Sequence, residues 1–405
     1  MKLLIITIFL ATTAFSFFVQ YLDYSRRNAP IPDNVKDVYD EETYKKYMAY
    51  TMDINKFAIV SGIISTMVIL FMLLFNFHHY LYTTISIENT IIMGLLIMFI
   101  PITVMMVVGW LLGIYSTFVI EARHGFNKTT PFTYIVDFLK GLVLMALLGG
   151  GLLVLFFWLY DWIGNLVFFA FFFVLIAVNI FANFISPLLI RIFYKLTPIE
   201  DGELKDKIIE LAEKTDVKLK GIYMVNESKR STRLNAFAAG FGKTKTIGLF
   251  DNLLEKFTHE EILAILAHEI GHEKKHHVVK SFPLEMLNTI FVVTFAYFIV
   301  ANQYVSMAFG FDGINIAFGI FALFILFEPI SIIFNLPENA LSRKYEYEAD
   351  AFECEHAGKE ASISAIKKLY REDLGNLTPH PFVVKLFYTH PTASERVAAF
   401  ENQRV

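Results

Sequence analysis

THEEILAILAHEIGHEKKHHVVK, residues 258–280, is the stretch on which the reading of this chain turns. Thr258 is placed to cap a helix, and Glu261 three residues later completes a capping box. Ile262, Leu263, Ile265, Leu266 and Ile270 follow as an apolar stripe that buries one side. On this helix His268 and His272 stand four apart, so both imidazoles leave one face about one turn apart. One zinc ion needs two nitrogen ligands in that arrangement. Glu269 lies roughly 100° round the helix, beside the metal, where a carboxylate can take a proton from a water the metal polarises.

Five residues of this kind also recur by chance on polar helices. Two features separate this stretch from an exposed basic helix with scattered histidines. Its neighbours are apolar, so the helix is expected to be buried, and a carboxylate-rich segment downstream can supply a third ligand.

The surrounding composition is that of a membrane protein. Of 405 residues, 55% are hydrophobic and only 18% charged, and the mean hydropathy is +0.51. Soluble domains rarely reach such values, and polytopic membrane proteins do. The 42 phenylalanines suit lipid-facing helices, and a net charge of −4 argues against nucleic acid as a partner. The single cysteine, Cys354, excludes an intramolecular disulfide framework and a cysteine-rich zinc site.

Seven stretches reach the roughly 20 apolar residues a spanning helix needs: 3–22, 57–77, 90–120, 141–160, 166–193, 284–308 and 313–334. Arg26, Arg27, Lys36, Lys45, Lys46 and Lys56 lie between the first and second, and Arg123, Lys128 and Lys140 between the third and fourth. Many more basic residues lie between the fifth and sixth. The alternate loops carry no Lys or Arg, so the positive-inside rule puts the N-terminus outside or luminal and the metal helix and C-terminus in the cytoplasm. The segment after the third stretch, with Pro131 near its start and Asp137 and Lys140 on one side, is expected to lie as a helix on the membrane surface. His78 and His79 are expected to be solvated at the interface, Asn179, Asn183 and Asn288 to bond between helices, and Glu328 to line a cavity.

Residues 195–256 read as water-exposed structure. Leu204, Ile208 and Leu211 repeat at helical spacing, and 220–226, 235–241 and 245–250 read as short strands. A small sheet beside the metal helix suits an enzyme that holds an extended peptide by strand addition. Four segments result: 1–194 with five spans, 195–282 with the metal helix, 283–335 with two spans, and 336–405 completing the site.

From Glu338 to Glu355 the chain carries six acidic residues. Glu346 and Asp350 are four apart and share a helical face, so one can bind zinc while the other supports a ligand histidine. On spacing alone Glu348 or Glu353 also qualifies as ligand. A third histidine six residues after His272 is excluded, because Val278 occupies that position and Lys275 replaces the glycine that pattern needs.

Several blocks in order, namely GFNKTTPFTYIVDFLK from Gly125, PIEDGEL from Pro198, KRSTRLNAFAAGFGKTKTIGLFD from Lys229, HEIGHEK from His268, SRKYEYEADAF from Ser342 and HPTASER from His390, resemble the type I CAAX prenyl protease family. The resemblance covers the chain from about residue 30 to its end. It implies an α-helical polytopic membrane protein of seven helices enclosing a water-filled chamber, with a gluzincin-like zinc protease domain and a small β-sheet. It also implies one zinc ion per chain, held by His268, His272 and Glu346, with Glu269 as base and Asp350 as proton donor or supporting partner. The residues matching His390, Arg396 and Asn235 line the active site in that family. His390 is read as a donor to the oxyanion, Arg396 as a partner of His390, Glu346 or Asp350, and Asn235 as a contact to the peptide backbone. The implied substrate is a peptide or protein C-terminus, prenylated or otherwise lipidated, met at the bilayer. A membrane quality-control metalloprotease without a prenylated substrate is the alternative. Two positions depart from the family: Gly248 stands where a larger residue is usual, and Arg233 where histidine is frequent.

Overall fold

A computed structural model of the chain describes residues 1–239 and 245–402, without the side chains of 183, 184, 186, 187, 238, 239 and 245. The protein is mainly helical. Six helical units are long and apolar enough to cross a bilayer: Lys2–Asn28, Glu41–Leu74, Thr90–Glu121, Pro131–Ile163, His277–Val300 and Ile316–Ala357. The fifth expected span falls on the helix Leu166–Phe193, whose apolar run among the described residues is the shorter Leu166–Ala182. Leu3, Phe169 and Phe324 are 77%, 69% and 66% exposed on these helices. Outer faces this greasy require lipid around them.

The expected surface helix is not a separate element. It begins at Pro131, capped by the Thr130 hydroxyl, and passes through a π-helical turn at Met145–Gly149 into Gly150–Ile163. Apolar composition continues across the join, and the helix runs on through Gly149, Gly150 and Gly151 with no proline to stop it. The solvated reading of His78 is also corrected. The ring is 2% exposed and packs on Phe321 with centroids 4.0 Å apart.

The metal helix is α10 (His259–Lys274), in chain-order numbering from α1 at Lys2–Ser25. Its capping box is complete: the Glu261 amide donates to Thr258 Oγ1 and the Thr258 amide to Glu261 Oε2. Ile262, Leu266 and Ile270 enter a core with Ile208 and Leu211 of α8 (Glu203–Lys214), Ile247 and Leu249 of β4 (Lys245–Phe250), and Leu253. The sheet has the order β1-β2-β4-β3, with β1 (Leu196–Pro198) a strand the sequence pattern did not single out. The strands β2 (Leu219–Val225) and β4 run parallel, and β3 (Ala236–Ala239) pairs antiparallel with β4 at the sheet edge. Residues 240 and 241 of the third expected strand lie outside the described residues. Gly248 opposes Phe237 across the β3–β4 ladder, and a Cβ on Gly248 would clash with the Phe237 ring. The phenyl group therefore fills the space that the glycine leaves.

The seventh apolar stretch does not end at the membrane boundary. It belongs to a single 42-residue helix, α13 (Ile316–Ala357), which continues through Pro329 and Pro337 into the acidic segment. Near His268 and His272 the helices α10 and α13 approach closely. A Cβ on Gly271 would lie 3.2 Å from Ala349 Cα and 3.1 Å from Phe352 Cβ. Glycine here forgoes roughly 1 kcal/mol of helix propensity relative to alanine and lets the two backbones meet.

Arg233 and Arg230 join the segment of residues 195–282 to the helices that precede it. Arg233 donates to Tyr50 Oη at 2.6 Å and to the Asp373 carbonyl at 2.7 Å, with its guanidinium 3.8 Å above the Phe126 ring. Arg230 grips the Asp137 carboxylate with two donors at 2.8 and 3.2 Å. Two of the blocks that carry the resemblance, from Gly125 and from Lys229, thus form one seam, closed by a bridge between Asn127 and Ser231.

Candidate metal centre

The face of α10 turned to α13 brings three donors together. His268 Nε2 and His272 Nε2 are 3.1 Å apart, and each lies 3.3 Å from one oxygen of Glu346. Donors held at about 2.0–2.2 Å from one tetrahedral centre stand roughly 3.3–3.5 Å apart. The triangle has the size one zinc ion requires. Glu346 is 4% exposed, and its Oε2 accepts no hydrogen bond despite burial. The orphaned oxygen is the one facing His268 Nε2, while Oε1 faces His272 Nε2, and a cation shared by the carboxylate and the two imidazoles satisfies it. The residues present therefore fit the metal that the sequence implies.

A second layer lies behind His268. Its Nδ1 is 3.0 Å from Asp350 Oδ1 and 3.3 Å from Glu353 Oε2. Asp350 is fully buried, and the Arg396 Nε donates to its two oxygens at 3.2 and 3.0 Å. Arg396 Nη2 also sits 3.2 Å from His268 Nδ1. A guanidinium only donates, and an imidazole that binds metal through Nε2 carries its proton on Nδ1, so the hydrogen bond made by that N–H is the one to Asp350. Burial pushes the His268 imidazole down, but Asp350, Glu346 and Glu353 outweigh it and raise it well above its ordinary value. Among the described residues the cluster Glu346, Asp350 and Glu353 faces one fixed cation, Arg396, and attracts positive charge.

His272 is supported differently. His276 adopts a left-handed conformation, φ 56°, between α10 and α11 (His277–Val300). That turn swings His277 back, placing its Nδ1 3.0 Å from His272 Nδ1 and its Nε2 3.2 Å from Glu348 Oε2. The His277 ring stacks on Tyr345 with centroids 4.3 Å apart and planes 9° from parallel. In the sequence His276 and His277 extend the ligand face and read as groups that support a ligand or lie at the surface; His276 is exposed and His277 buried.

Glu269, Asn235, His390 and Arg396 line one cleft of about 380 Å³ with His268, Ala236 and Glu353. Asn235 is exposed just before β3, and its carbonyl accepts the Phe250 amide. His390 Nε2 is 3.3 Å from Glu346 Oε1, at the open side of the triangle. Its loop is fixed by Asn339 and Arg343 of α13, which donate to the carbonyls of Leu386 at 2.6 Å and Tyr388 at 2.6 Å. Across the ligand face, a second cavity of about 500 Å³ is lined by His272, His277, Asn179, Glu285, Glu338 and Tyr345. Asn288 bonds Glu338 at 3.0 Å, a helix-to-helix contact. The side chain of Asn183 is outside the described set. Glu328 is exposed on α13, and Cys354 is a buried free thiol.

Residues 20–195 match the description "CAAX prenyl protease N-terminal, five membrane helices", and residues 198–404 match "Peptidase family M48". The CAAX prenyl protease 1 homolog of Arabidopsis thaliana is 30% identical over 95% of each chain. CAAX prenyl protease 1 of Saccharomyces cerevisiae is 30% identical over 99% of this chain and 95% of its own. The crystal structure of S. mikatae Ste24p superposes with a TM-score of 0.93 at 29% identity, covering 99% of both chains.

Proposed function

Because the chain belongs to peptidase family M48 and is a multi-pass membrane metalloprotease, we propose that it cleaves CAAX-type peptides, prenylated near the scissile bond, using one zinc ion. The observation that carries this reading is the triangle of His268, His272 and Glu346 with Glu269 beside it in the same cleft as β3. His268, His272 and Glu346 hold the zinc, which when bound supplies Lewis-acid polarisation of the water and the scissile carbonyl.

The remaining work belongs to the chain. Glu269 accepts the proton of the attacking water and passes it to the leaving amine. His390, beside Glu346, donates to the oxygen that becomes negative in the transition state. The free edge of β3 takes the peptide as an added antiparallel strand, with Asn235 bonding its backbone. Asp350 fixes the orientation and tautomer of His268, and Arg396 neutralises Asp350. With its donors on Asp350, Arg396 is in our reading a positioning residue that reaches substrate only through others. The lipid group extends past α10 toward the membrane helices, which enclose a chamber closed by the catalytic segment at its cytoplasmic end.

The test compares a farnesylated CAAX peptide with its unprenylated twin on purified protein. The reading expects zinc-dependent release of the C-terminal tripeptide, with kcat/KM higher for the farnesylated form. Zinc-dependent cleavage indifferent to the lipid would favour a quality-control protease over CAAX processing.

A further inference from the structure

We propose that His277 and Glu348 form a hydrogen-bonded relay that sets the tautomer and orientation of His272, making both of them positioning residues for the metal. This inference rests on the ligand assignment above and extends it to residues outside the metal triangle.

The argument begins at the carboxylate. An ionised Glu348 only accepts, so the His277 Nε2 that lies 3.2 Å from its Oε2 must carry the proton. A neutral imidazole then has a lone pair at Nδ1. That lone pair faces His272 Nδ1 at 3.0 Å, so His272 donates from Nδ1 and its own lone pair is left at Nε2. His272 Nε2 is the atom turned to Glu346 and His268. One carboxylate thus dictates, through two rings, which nitrogen of His272 is free to bind metal.

Three further features hold the relay in place. Lys280 and Lys344 lie 3.8 and 3.9 Å from Glu348 and favour its ionised form. Tyr345 stacks on His277 and fixes its plane. The left-handed His276 makes the contact between residues five apart possible, since a continuous helix would carry position 277 round to another face. His268 receives its carboxylate directly from Asp350, whereas His272 receives its own through His277. The two ligand histidines are supported from opposite sides of the site by independent networks.

Hydrogen bonding and ring packing make opposite forecasts for two variants. His277→Asn places a carbonyl oxygen close to the position of Nδ1 and can still accept from His272, but it loses the stacking on Tyr345. His277→Phe keeps the stacking and loses both nitrogens. Zinc affinity is to be read on the purified full chain by competition with a chromophoric chelator, alongside the melting temperature. H277F should bind zinc about 10–100-fold more weakly than wild type. H277N should stay within a fewfold, and Glu348→Ala, a change at a partly exposed side chain, should fall between. H277F binding as tightly as H277N, or E348A binding like wild type, would overturn the relay while leaving the ligand triangle intact. Absence of zinc from the wild-type protein would sink both together.

Discussion

At the scale of single residues, the proposed mechanism divides the site into groups that meet substrate and groups that act through a neighbour. In it His390 and Asn235 meet substrate, and they should separate kinetically. Truncating His390 to alanine should lower kcat about 100-fold or more with KM little changed, because its partner charge exists only in the transition state. Asn235→Ala should mainly raise KM, since the peptide backbone is held in ground and transition states alike. Steady-state assays on a CAAX peptide, with zinc content checked in parallel, decide this; wild-type kinetics in both variants would remove them from the site. Much of this was legible beforehand. His268, Glu269 and His272 announce themselves by local spacing on one helix, so no tertiary information is needed. Glu346 was one of four carboxylates that spacing allowed, and the family resemblance, not periodicity, singled it out. The contact of His277 with His272 was hidden, because it depends on a positive φ at His276 that nothing in the local pattern demands.

At the scale of elements, α10 is held by its cap and by its closeness to α13. Glu261 receives Thr258 N–H, Ser364 Oγ at 2.6 Å and Lys368 Nζ at 3.0 Å. Burial works to raise its carboxyl, but these three donors outweigh it and hold it below its ordinary value. A depressed folded value means stability that is present above the unfolded pKa, roughly 4.3, and lost as pH falls through the folded one. Glu261→Gln should therefore melt at a lower temperature near neutral pH, by an amount worth about 1 kcal/mol. That difference should shrink below pH 4. Equal melting at pH 7 would show that the charge contributes nothing.

Gly271 gives the second test at this scale. A methyl group there must push α13 back by a few tenths of an ångström against backbone, moving Glu346 relative to the histidines. Gly271→Ala should weaken zinc binding about tenfold or more even though alanine is the better helix former; unchanged affinity would mean the helices have room to spare. The single rod α13 explains how a residue three turns beyond an apolar span can be placed this accurately. Sequence reading divided that rod, because composition changes near Asn335 and prolines stand at 329 and 337, while the backbone continues unbroken. The same bias toward composition made Pro131–Leu144 look like a surface helix when it runs on into the next apolar one.

At the scale of the whole molecule, the membrane helices and the catalytic segment are one body, joined by Arg230 on Asp137 and Arg233 on Tyr50. Val35, Val38 and Tyr39 pack with Val397 and Phe400, so the loop after the first helix and the last helix share a core. Composition foretold a polytopic protein, but these long-range seams have no periodic signature and could be sensed only as blocks of family resemblance. Orientation remains a matter of loop charge. Cysteine labels near Asp161 and Asp312 should react from outside intact vesicles, and labels near Lys128 and Asn376 only after permeabilisation. The reverse pattern would move the active site to the other side of the membrane.

The central claim is that a metal held by His268, His272 and Glu346 works with Glu269 as the base. It is tested most directly by assaying Glu269→Gln on a farnesylated CAAX peptide while measuring bound zinc in the same preparation. The account predicts one zinc per chain, as in wild type, with cleavage lower by several orders of magnitude. Substantial cleavage by a zinc-loaded Glu269→Gln protein would contradict it.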